Sequence, residues 1–534
     1  MRREDQDRAL VEVTSRVVDS FVRGAEGREG HLEGVLSDTL YHEGLRLERA
    51  DPSDPATRAY RELYGRVRRE LGSASPSRQK ELLTEITRQY CEEVLGNFDE
   101  RVYRIATSVL PHGLSALLKG ASLRRVANMD ILLRRGLQEY VSVEGEVDHV
   151  RALMDRGTLL VTPTHGSNLD SPVLGYAIYL MGVPPLTYGA GLNLFDNPVL
   201  SFFMSNLGAY KVDRRKQAKL YKAVLKEYST CALEMGYHSL FFPGGTRSRS
   251  GEVERKLKKG LLGTAVRAYT NNLQAGRSKP DIFVVPTTIN YKLVLESETL
   301  IEDHLKEVGK ARFIISDDEF SRPRRVLNFM SNLFSLDARI VVRFGKPLDV
   351  FGNPVDLEGR SLDPKGRVVD PRGYVSRNGV PVRDDQRDQQ YTNELADVIG
   401  ASFGRDNVVM STNVLGFVLN NLLQRANPGM DPYRLLRSGG VQDSFPMAEV
   451  HAEVQRVLGA IDALADPPSL EAVVARGDVP DIVNDALKHF AIYHTHDAAE
   501  RCGDRVFHHD RKLLLFYGNR LRGYDLGRSL AADR

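Results

Sequence analysis

The stretch Gly157-Thr-Leu-Leu-Val-Thr-Pro163 decides the fold class, because it has the composition of a buried strand and runs directly into the polar segment Thr164-His-Gly-Ser-Asn-Leu-Asp170. An amphipathic helix is predicted over Lys216–Met235, where apolar residues recur at helical spacing. Further short apolar runs, which also read as strands, lie at Leu207–Val212, Tyr237–Phe242, Asp281–Pro286 and Arg339–Phe344. Strands that alternate with helices predict an α/β domain with a mainly parallel sheet and helices on both faces.

The sequence on either side of this domain has a different character. Helical periodicity at Glu81–Phe98 and Arg125–Glu139 predicts a helical region before it. Glycines at short intervals after the last strand, as in Leu362-Asp-Pro-Lys-Gly-Arg367, predict tight turns. The predicted units are an N-terminal helical region at 1–140, the α/β domain at 141–350, a Gly/Pro/Asp-rich turn insert at 351–390 and a C-terminal helical region at 391–534.

The composition argues against several classes of protein. A formal net charge of +2 over 534 residues lacks the basic excess that is typical of nucleic-acid-binding proteins. Cys91, Cys231 and Cys502 are too few and too scattered for a disulfide framework or a zinc site, so no metal is expected. We expect no secretory signal and no membrane-spanning helix, because prolines interrupt the one long apolar stretch, 171–210. That stretch is predicted to be either buried core or a surface that touches lipid.

The polar segment after the first strand carries a candidate acid–base pair. His165 and Asp170 stand across a turn from each other, so the carboxylate can bind one imidazole nitrogen and fix the tautomer. The other nitrogen would then serve as a general base towards a substrate hydroxyl. The alternative is a surface histidine beside an aspartate that caps a helix.

Two further clusters follow predicted strands and are rich in cationic side chains. The guanidinium groups of Asp213-Arg214-Arg215 suit a phosphate dianion. The segment Phe242-Pro-Gly-Gly-Thr-Arg-Ser-Arg-Ser-Gly251 combines glycines, hydroxyls and positive charge, as an anion cradle does. Its candidate binding residues are Gly245, Thr246, Arg247, Ser248 and Arg249. The alternatives are a solvated helix start and a flexible basic loop.

A fourth cluster, Val284–Tyr291, is placed at the end of a predicted strand and contains Pro286, which predicts an edge strand or a bulge. In open α/β sheets, ligands bind outside the carboxyl ends of the strands. The four clusters are therefore expected to converge on one pocket.

In order and spacing, the four clusters resemble the sequence blocks of the glycerol-3-phosphate and 1-acylglycerol-3-phosphate acyltransferase superfamily, the His-x4-Asp acyltransferases. The chain looks closest to the glycerol-3-phosphate branch. The resemblance implies that His165 deprotonates the acceptor hydroxyl and that Asp170 orients it. It further implies that Arg214, Arg247 and Arg249 hold the acceptor phosphate, that Gly245 lets the backbone approach, and that Pro286 shapes the acyl-donor side.

The sequence departs from the family pattern at two positions. Gly244 stands where the third block usually has a glutamate, and Gly166 stands where the glycerol-3-phosphate branch often has an arginine. The first and second blocks look more like the lysophosphatidate branch. The acceptor therefore remains open among glycerol 3-phosphate, lysophosphatidate and dihydroxyacetone phosphate.

The resemblance implies an enzyme of phospholipid biosynthesis that takes its acyl group from acyl-CoA or acyl carrier protein and needs no cofactor. It also implies a cytoplasmic protein associated peripherally with the inner face of the membrane, with Phe202, Phe203 and Met204 as candidates for contact with the acyl chain or the bilayer. Two other classes are weighed against it. One is a serine hydrolase that uses Ser167, and the other is a non-catalytic lipid-binding protein on the same fold.

Overall fold

The computed structural model describes residues 1–26, 30–104, 141–192, 201, 204–308, 339–431, 434–436, 440–491 and 497–526. The N-terminal part is helical, as predicted, and the predicted helix Glu81–Phe98 corresponds to α4. Asp54 and Ser75 cap the third and fourth helices by accepting from backbone N–H groups of the first turn. The predicted helix Arg125–Glu139 lies outside the described residues. The helices are α1 (Arg3–Ala25), α2 (His31–Glu48), α3 (Pro55–Leu71) and α4 (Pro76–Val94).

Within the described residues, the central sheet has seven strands in the order β1-β7-β6-β2-β5-β3-β4. Every neighbouring pair is parallel except β6 and β7, which are antiparallel. The strands are β1 (Val141–Gly145), β2 (Thr158–Pro163), β3 (Thr187–Gly191), β4 (Ala209–Val212), β5 (Ser239–Leu240), β6 (Ile282–Tyr291) and β7 (Ile340–Phe344). The predicted mainly parallel α/β sheet is confirmed.

Helices cover both faces of the sheet. Alternate residues of its central strands point to opposite faces and contribute to different cores. Leu159 and Val161 of β2 join one core with Leu174, whereas Leu160 joins another with Val266. Both sides of β2 are therefore buried, which explains why its sequence is apolar throughout rather than alternating. The helices of this domain are α5 (Val147–Met154), α6 (Asp170–Leu180), α7 (Lys219–Glu234), α8 (Gly263–Gln274) and α9 (Ser297–Val308).

The fourth cluster lies inside a strand and not after one, which corrects the sequence interpretation. β6 continues through Pro286 to Tyr291 and lies between β2 and β7, so Pro286 is not on an edge strand. The carbonyl of Pro286 accepts from Gly345 N–H at 2.8 Å, and two residues earlier Val284 and Leu348 exchange both backbone hydrogen bonds at 2.8 Å. Between these two contacts Val285 alone faces Lys346 and Pro347, so Pro286 lies beside a bulge, as one of the two sequence predictions had it, and its missing N–H is tolerated there.

The turn insert contains two small hairpins, pairing β8 (Ser361–Leu362) with β9 (Val368–Val369) and β10 (Ser376–Arg377) with β11 (Val380–Pro381). Asp363 organises the first turn, where its carboxylate accepts from the backbone N–H groups of Lys365 and Arg367 at 2.8 and 2.9 Å. An aspartate that binds the backbone ahead of it stabilises a tight turn, as the glycine and proline spacing predicts.

The C-terminal part is mainly helical but also contains a three-stranded antiparallel sheet that the sequence did not predict, in the order β13-β16-β15. The helix α10 begins at Asp385, inside the stretch predicted as the insert. The helices are α10 (Asp385–Asp406), α11 (Ser411–Ala426), α12 (Met447–Asp462), α13 (Ala472–Ala475), α14 (Val479–Phe490) and α15 (Arg511–Gly518). The remaining strands are β12 (Val408–Val409), β13 (Ser444–Pro446), β14 (Ser469–Leu470), β15 (Ala499–Cys502) and β16 (Arg505–His508).

The long apolar stretch 171–210 supplies α6, β3 and the start of β4 to the domain. Met204 is buried against Ala190 and Ala209, so its side chain contributes to the core. Phe202 and Phe203 lie outside the described residues. Among the helices that the structure describes, none combines the length and the apolar character that crossing a bilayer requires.

Candidate active site

His165 and Asp170 meet at the carboxyl end of β2. His165 lies in the loop after this strand and Asp170 is the first residue of α6. The imidazole Nδ1 is 2.7 Å from the carboxylate Oδ2 of Asp170, which is fully buried. An ionised carboxylate can only accept, so Nδ1 carries the proton and Nε2 holds the free electron pair. This tautomer is the one that a general base requires.

Donors from two elements fix the carboxylate of Asp170. Its Oδ2 also accepts from the backbone N–H groups of Gly166 and Ser167 at 2.7 and 2.9 Å. Its Oδ1 accepts from the hydroxyl of Tyr291, at the end of β6, at 2.7 Å. Burial, and then the charge of Asp170, raise the pKa of Tyr291 well above its ordinary value, so the phenol remains a donor. Asp170 can therefore neither rotate nor move away from the imidazole at low cost.

The third cluster holds both the ring and the main chain of His165. The ring of Phe242 stacks on the imidazole with centroids 4.2 Å apart and an interplanar angle of 23°. The backbone N–H of Ser248 donates to the carbonyl of His165 at 2.7 Å. The first and third clusters, which are distant in the sequence, thus form one unit.

Glu296 joins the first, third and fourth clusters, and sequence reasoning assigned it no role. Its buried carboxylate accepts from the Ser167 hydroxyl at 2.8 Å and from the Asn168 N–H at 2.9 Å. It also pairs with the guanidinium of Arg247, with an N–O distance of 3.5 Å. In the sequence, Glu296 follows the fourth cluster by five residues. Ser167 itself is fully buried, and its hydroxyl is directed at Glu296.

Two guanidinium groups come together beside this unit. Partial burial, and then the positive charge of Arg247, lower the pKa of Arg214, which follows β4. Like charges that approach each other are unfavourable unless an anion lies between or beside them. Glu296 is such an anion for Arg247, and the positive charge of Arg214 suits a further anionic group, whereas Arg249 pairs with Glu307 at 3.0 Å.

The remaining candidates from the third cluster shape the loop. Gly245 has a φ of +76° and lies against the side chain of Lys258, so a larger residue would be strained there. Ser248 closes a turn through its hydroxyl, which donates to the carbonyl of Glu252 at 2.9 Å. Thr246 is exposed. Pro286 is buried within β6.

The C-terminal part contributes to the same site, which the sequence did not indicate. A cavity of about 40 Å³ lies beside the loop that joins His165 to Asp170. This volume holds water but not an acyl chain. Its walls combine Gly166 and Ser248 with Phe516, Tyr517 and Arg520. In the part of the chain that the structure describes, no group of His, Cys, Asp and Glu is arranged to hold a metal ion.

Comparison with known proteins gives a consistent result. Residues 141–290 match the family model described as Acyltransferase. Over 242 residues, the chain is 31% identical to the glycerol-3-phosphate acyltransferase of Haemophilus ducreyi, covering 44% of this chain and 27% of that protein. For the enzyme of the same name from Actinobacillus succinogenes, the identity is 32% over 215 residues, covering 39% and 24%. The matched part of the chain thus spans about a quarter of these relatives.

Among solved structures, the 1-acyl-sn-glycerophosphate (LPA) acyltransferase of Thermotoga maritima shares 16% identity with a TM-score of 0.25, covering 56% of this chain and 92% of that one. The family match includes the loop of His165 and Asp170 and all four polar clusters as far as Asn290. The resemblance to the acyltransferase superfamily is thereby confirmed. Residues 141–290, which hold the His165–Asp170 pair, are the part of the chain that is similar to the acyltransferase family.

Proposed function

We propose that the chain transfers a fatty acyl group from acyl-CoA or acyl carrier protein to a hydroxyl of glycerol 3-phosphate, in phospholipid biosynthesis. The observation that carries this proposal is the His165–Asp170 pair, with Nε2 as its free base and the guanidinium groups of Arg214 and Arg247 beside it. A base for a hydroxyl and a site for a phosphate are the two things that this acceptor needs.

The proposed reaction has two steps. Nε2 of His165 takes the proton of the acceptor hydroxyl while the oxygen forms a bond to the thioester carbonyl carbon. The tetrahedral intermediate then collapses with cleavage of the C–S bond, and the imidazolium returns the proton to the departing thiolate. An ester and a free thiol result. The thioester is already an activated donor, so the step requires no nucleophilic side chain of the protein.

The test is an assay of thiol release by the purified protein with palmitoyl-CoA and, in turn, glycerol 3-phosphate, lysophosphatidate and dihydroxyacetone phosphate. Release that depends on glycerol 3-phosphate is the expected result. Release with only one of the other two acceptors would identify that compound as the acceptor. No release with any acceptor, also with an acyl carrier protein donor, would contradict the proposed activity and favour a non-catalytic lipid-binding protein.

The same assay with vesicles of anionic phospholipid tests the membrane part of the proposal. We propose that the protein associates peripherally with the inner, cytoplasmic face of the membrane, because the acyl chain must be kept out of water. Turnover and sedimentation that are unaffected by vesicles would contradict the association.

Replacing Arg214 with glutamine is expected to raise the KM for the phosphorylated acceptor about tenfold or more, with a smaller change in kcat. The physical reason is the loss of a charge-assisted contact to the acceptor phosphate. The matched control is Arg88→Gln, because Arg88 is an exposed arginine of α4 that pairs with Glu92. Steady-state kinetics in which both variants keep the wild-type KM would remove Arg214 from the acceptor site.

Replacing Ser167 with alanine separates the acyltransferase from a serine hydrolase. The Ser167 hydroxyl binds Glu296, so we expect its loss to loosen the loop and lower kcat by less than about tenfold. A hydrolase that used this serine as its nucleophile would lose all activity. Complete loss of turnover in a folded Ser167→Ala protein would therefore favour the hydrolase.

A further inference from the structure

A carboxylate lies in the space that a side chain at position 244 would occupy. A Cβ built on Gly244 would overlap the carboxylate of Glu254, lying 2.6 Å from its Cδ and 2.8 Å from its Oε2. Gly244 does not have a positive φ, so its backbone conformation is open to other residues. A side chain at position 244 could therefore enter only if the carboxylate of Glu254 moved away, whereas the backbone of the loop would accept it.

Glu254 completes the hold of this loop on the main chain of His165. Its carboxylate accepts from the backbone N–H of His165, and the N–H of Ser248 donates to the His165 carbonyl at 2.7 Å. Both backbone polar groups of the histidine are thus bound by the third cluster and the residues that follow it. Asp170 and Phe242 fix the ring. A shift of Glu254 would therefore move the imidazole relative to any substrate.

The surroundings of Glu254 keep this carboxyl group neutral. Burial, and then the charge of Asp170 on α6, raise the pKa of Glu254 to about 8, against the His165 N–H and Arg520, which lower it. Its Oε2 is buried without a hydrogen-bond partner among the described residues. In the neutral form, one oxygen can accept from His165 without placing a second negative charge beside Asp170.

We propose that Glu254 is a positioning residue of this active site, holding the main chain of His165 from the place that a side chain at Gly244 would otherwise fill. The proposal rests on the proposed acyltransferase function of the site. It also explains how the chain tolerates a glycine where the family pattern has a glutamate: the acid is supplied from later in the same loop.

The test is an exchange of the acid between the two positions. Glu254→Ala and Gly244→Glu are each expected to lower kcat about tenfold or more, with the KM for the acceptor nearly unchanged, because the proposed contact of Glu254 is with the main chain of His165. The double variant Gly244→Glu/Glu254→Ala is expected to regain most of the kcat, since the new side chain enters the vacated space. A double variant whose loss is the product of the two single losses would overturn the proposal.

Glu254→Gln provides the control for charge. It keeps the oxygen that accepts from His165, so kcat near pH 7 is expected to stay within about threefold of wild type. Ionisation of Glu254 as the pH rises past about 8 places a second negative charge beside Asp170, so the wild-type kcat is expected to fall there, and the glutamine variant should lack this fall. A glutamine variant as impaired as the alanine variant, or the same fall in both proteins, would count against the proposal.

Thermal unfolding of the wild-type protein, Glu254→Ala, Gly244→Glu and the double variant separates this inference from the proposed function. If the wild-type protein has no turnover, the proposed function fails, and the melting temperatures still test the placement of Glu254. Both single variants should melt below wild type and the double variant should recover. Additive losses in melting temperature would overturn the placement.

Discussion

The variant His165→Ala is expected to lose acyl transfer by about 10²- to 10⁴-fold, because the only proposed base for the acceptor hydroxyl is removed. The fold should survive the substitution. Without the imidazole, the buried carboxylate of Asp170 still accepts from the N–H groups of Gly166 and Ser167 and from the hydroxyl of Tyr291. No buried charge is left without partners, which is the usual cause of a large loss of stability. The measurement is kcat from thiol release, with circular dichroism to check the fold.

A matched control is His509→Ala, since the side chain of His509 is 44% exposed and pairs with Glu500, outside the described site. It should retain wild-type kcat. If His165→Ala turns over within about threefold of wild type while correctly folded, general-base catalysis by this residue is ruled out. Lipid binding by the same variant is expected both for an acyltransferase and for a non-catalytic lipid-binding protein, so turnover by the wild-type protein is the measurement that separates the two.

The pairing of His165 with Asp170 could be predicted from sequence because it is local. A buried strand ends at Pro163 and a helix begins at Asp170. The loop between them is short, so the side chains of His165 and Asp170 must lie close together. The apolar composition of β2 predicted a buried strand. The parallel arrangement of the strands predicted the edge of the sheet at which the clusters meet. The local parts of the site therefore followed from propensity and spacing.

The contacts that hold this pair could not be predicted, because they come from distant parts of the chain. Glu296 reaches Ser167 and Arg247 from the segment after β6, and Arg520 reaches the site from the C-terminal part. A buried glutamate and a surface glutamate look the same in a single sequence, because burial depends on tertiary packing. Glu254 was hidden for the same reason, although the unusual Gly244 marked the place where it lies.

The strand errors have a related cause. The sequence placed the end of β6 at Pro286, because proline usually terminates or borders a strand. Pro286 lies beside a bulge, where its missing N–H is tolerated, and the strand continues to Tyr291. Only the pairing partner decides whether a missing N–H matters, and partners are not visible in the strand itself. The continuation is what brings the Tyr291 hydroxyl to Asp170.

The last residue of the third cluster is packed against the C-terminal part. Gly251 has a φ of +81°, and a Cβ there would overlap the carbonyl oxygen of Phe516 in α15 and lie 3.0 Å from its carbon. Beside it, the Asn519 side chain donates to the carbonyl of Ser250 at 2.8 Å. The obstacle is backbone held in a helix, which cannot move aside as a flexible side chain would.

Replacing Gly251 with alanine is therefore expected to lower the free energy of unfolding by about 2–5 kcal/mol. The left-handed conformation costs an alanine about 1–2 kcal/mol, and overpacking against Phe516 costs about 1–3 kcal/mol.

The control is Gly366→Ala. Gly366 has a similar φ of +77° but no heavy atom within 4 Å of its Cβ position, so only the conformational cost applies. Denaturant unfolding of both variants isolates the contact with α15. Equal losses in the two variants would show that the C-terminal part does not press on the loop. A larger loss at Gly251, with a fall in kcat, would mean that α15 holds Ser248 on His165 and that residues 141–290 depend on the C-terminal part of the chain.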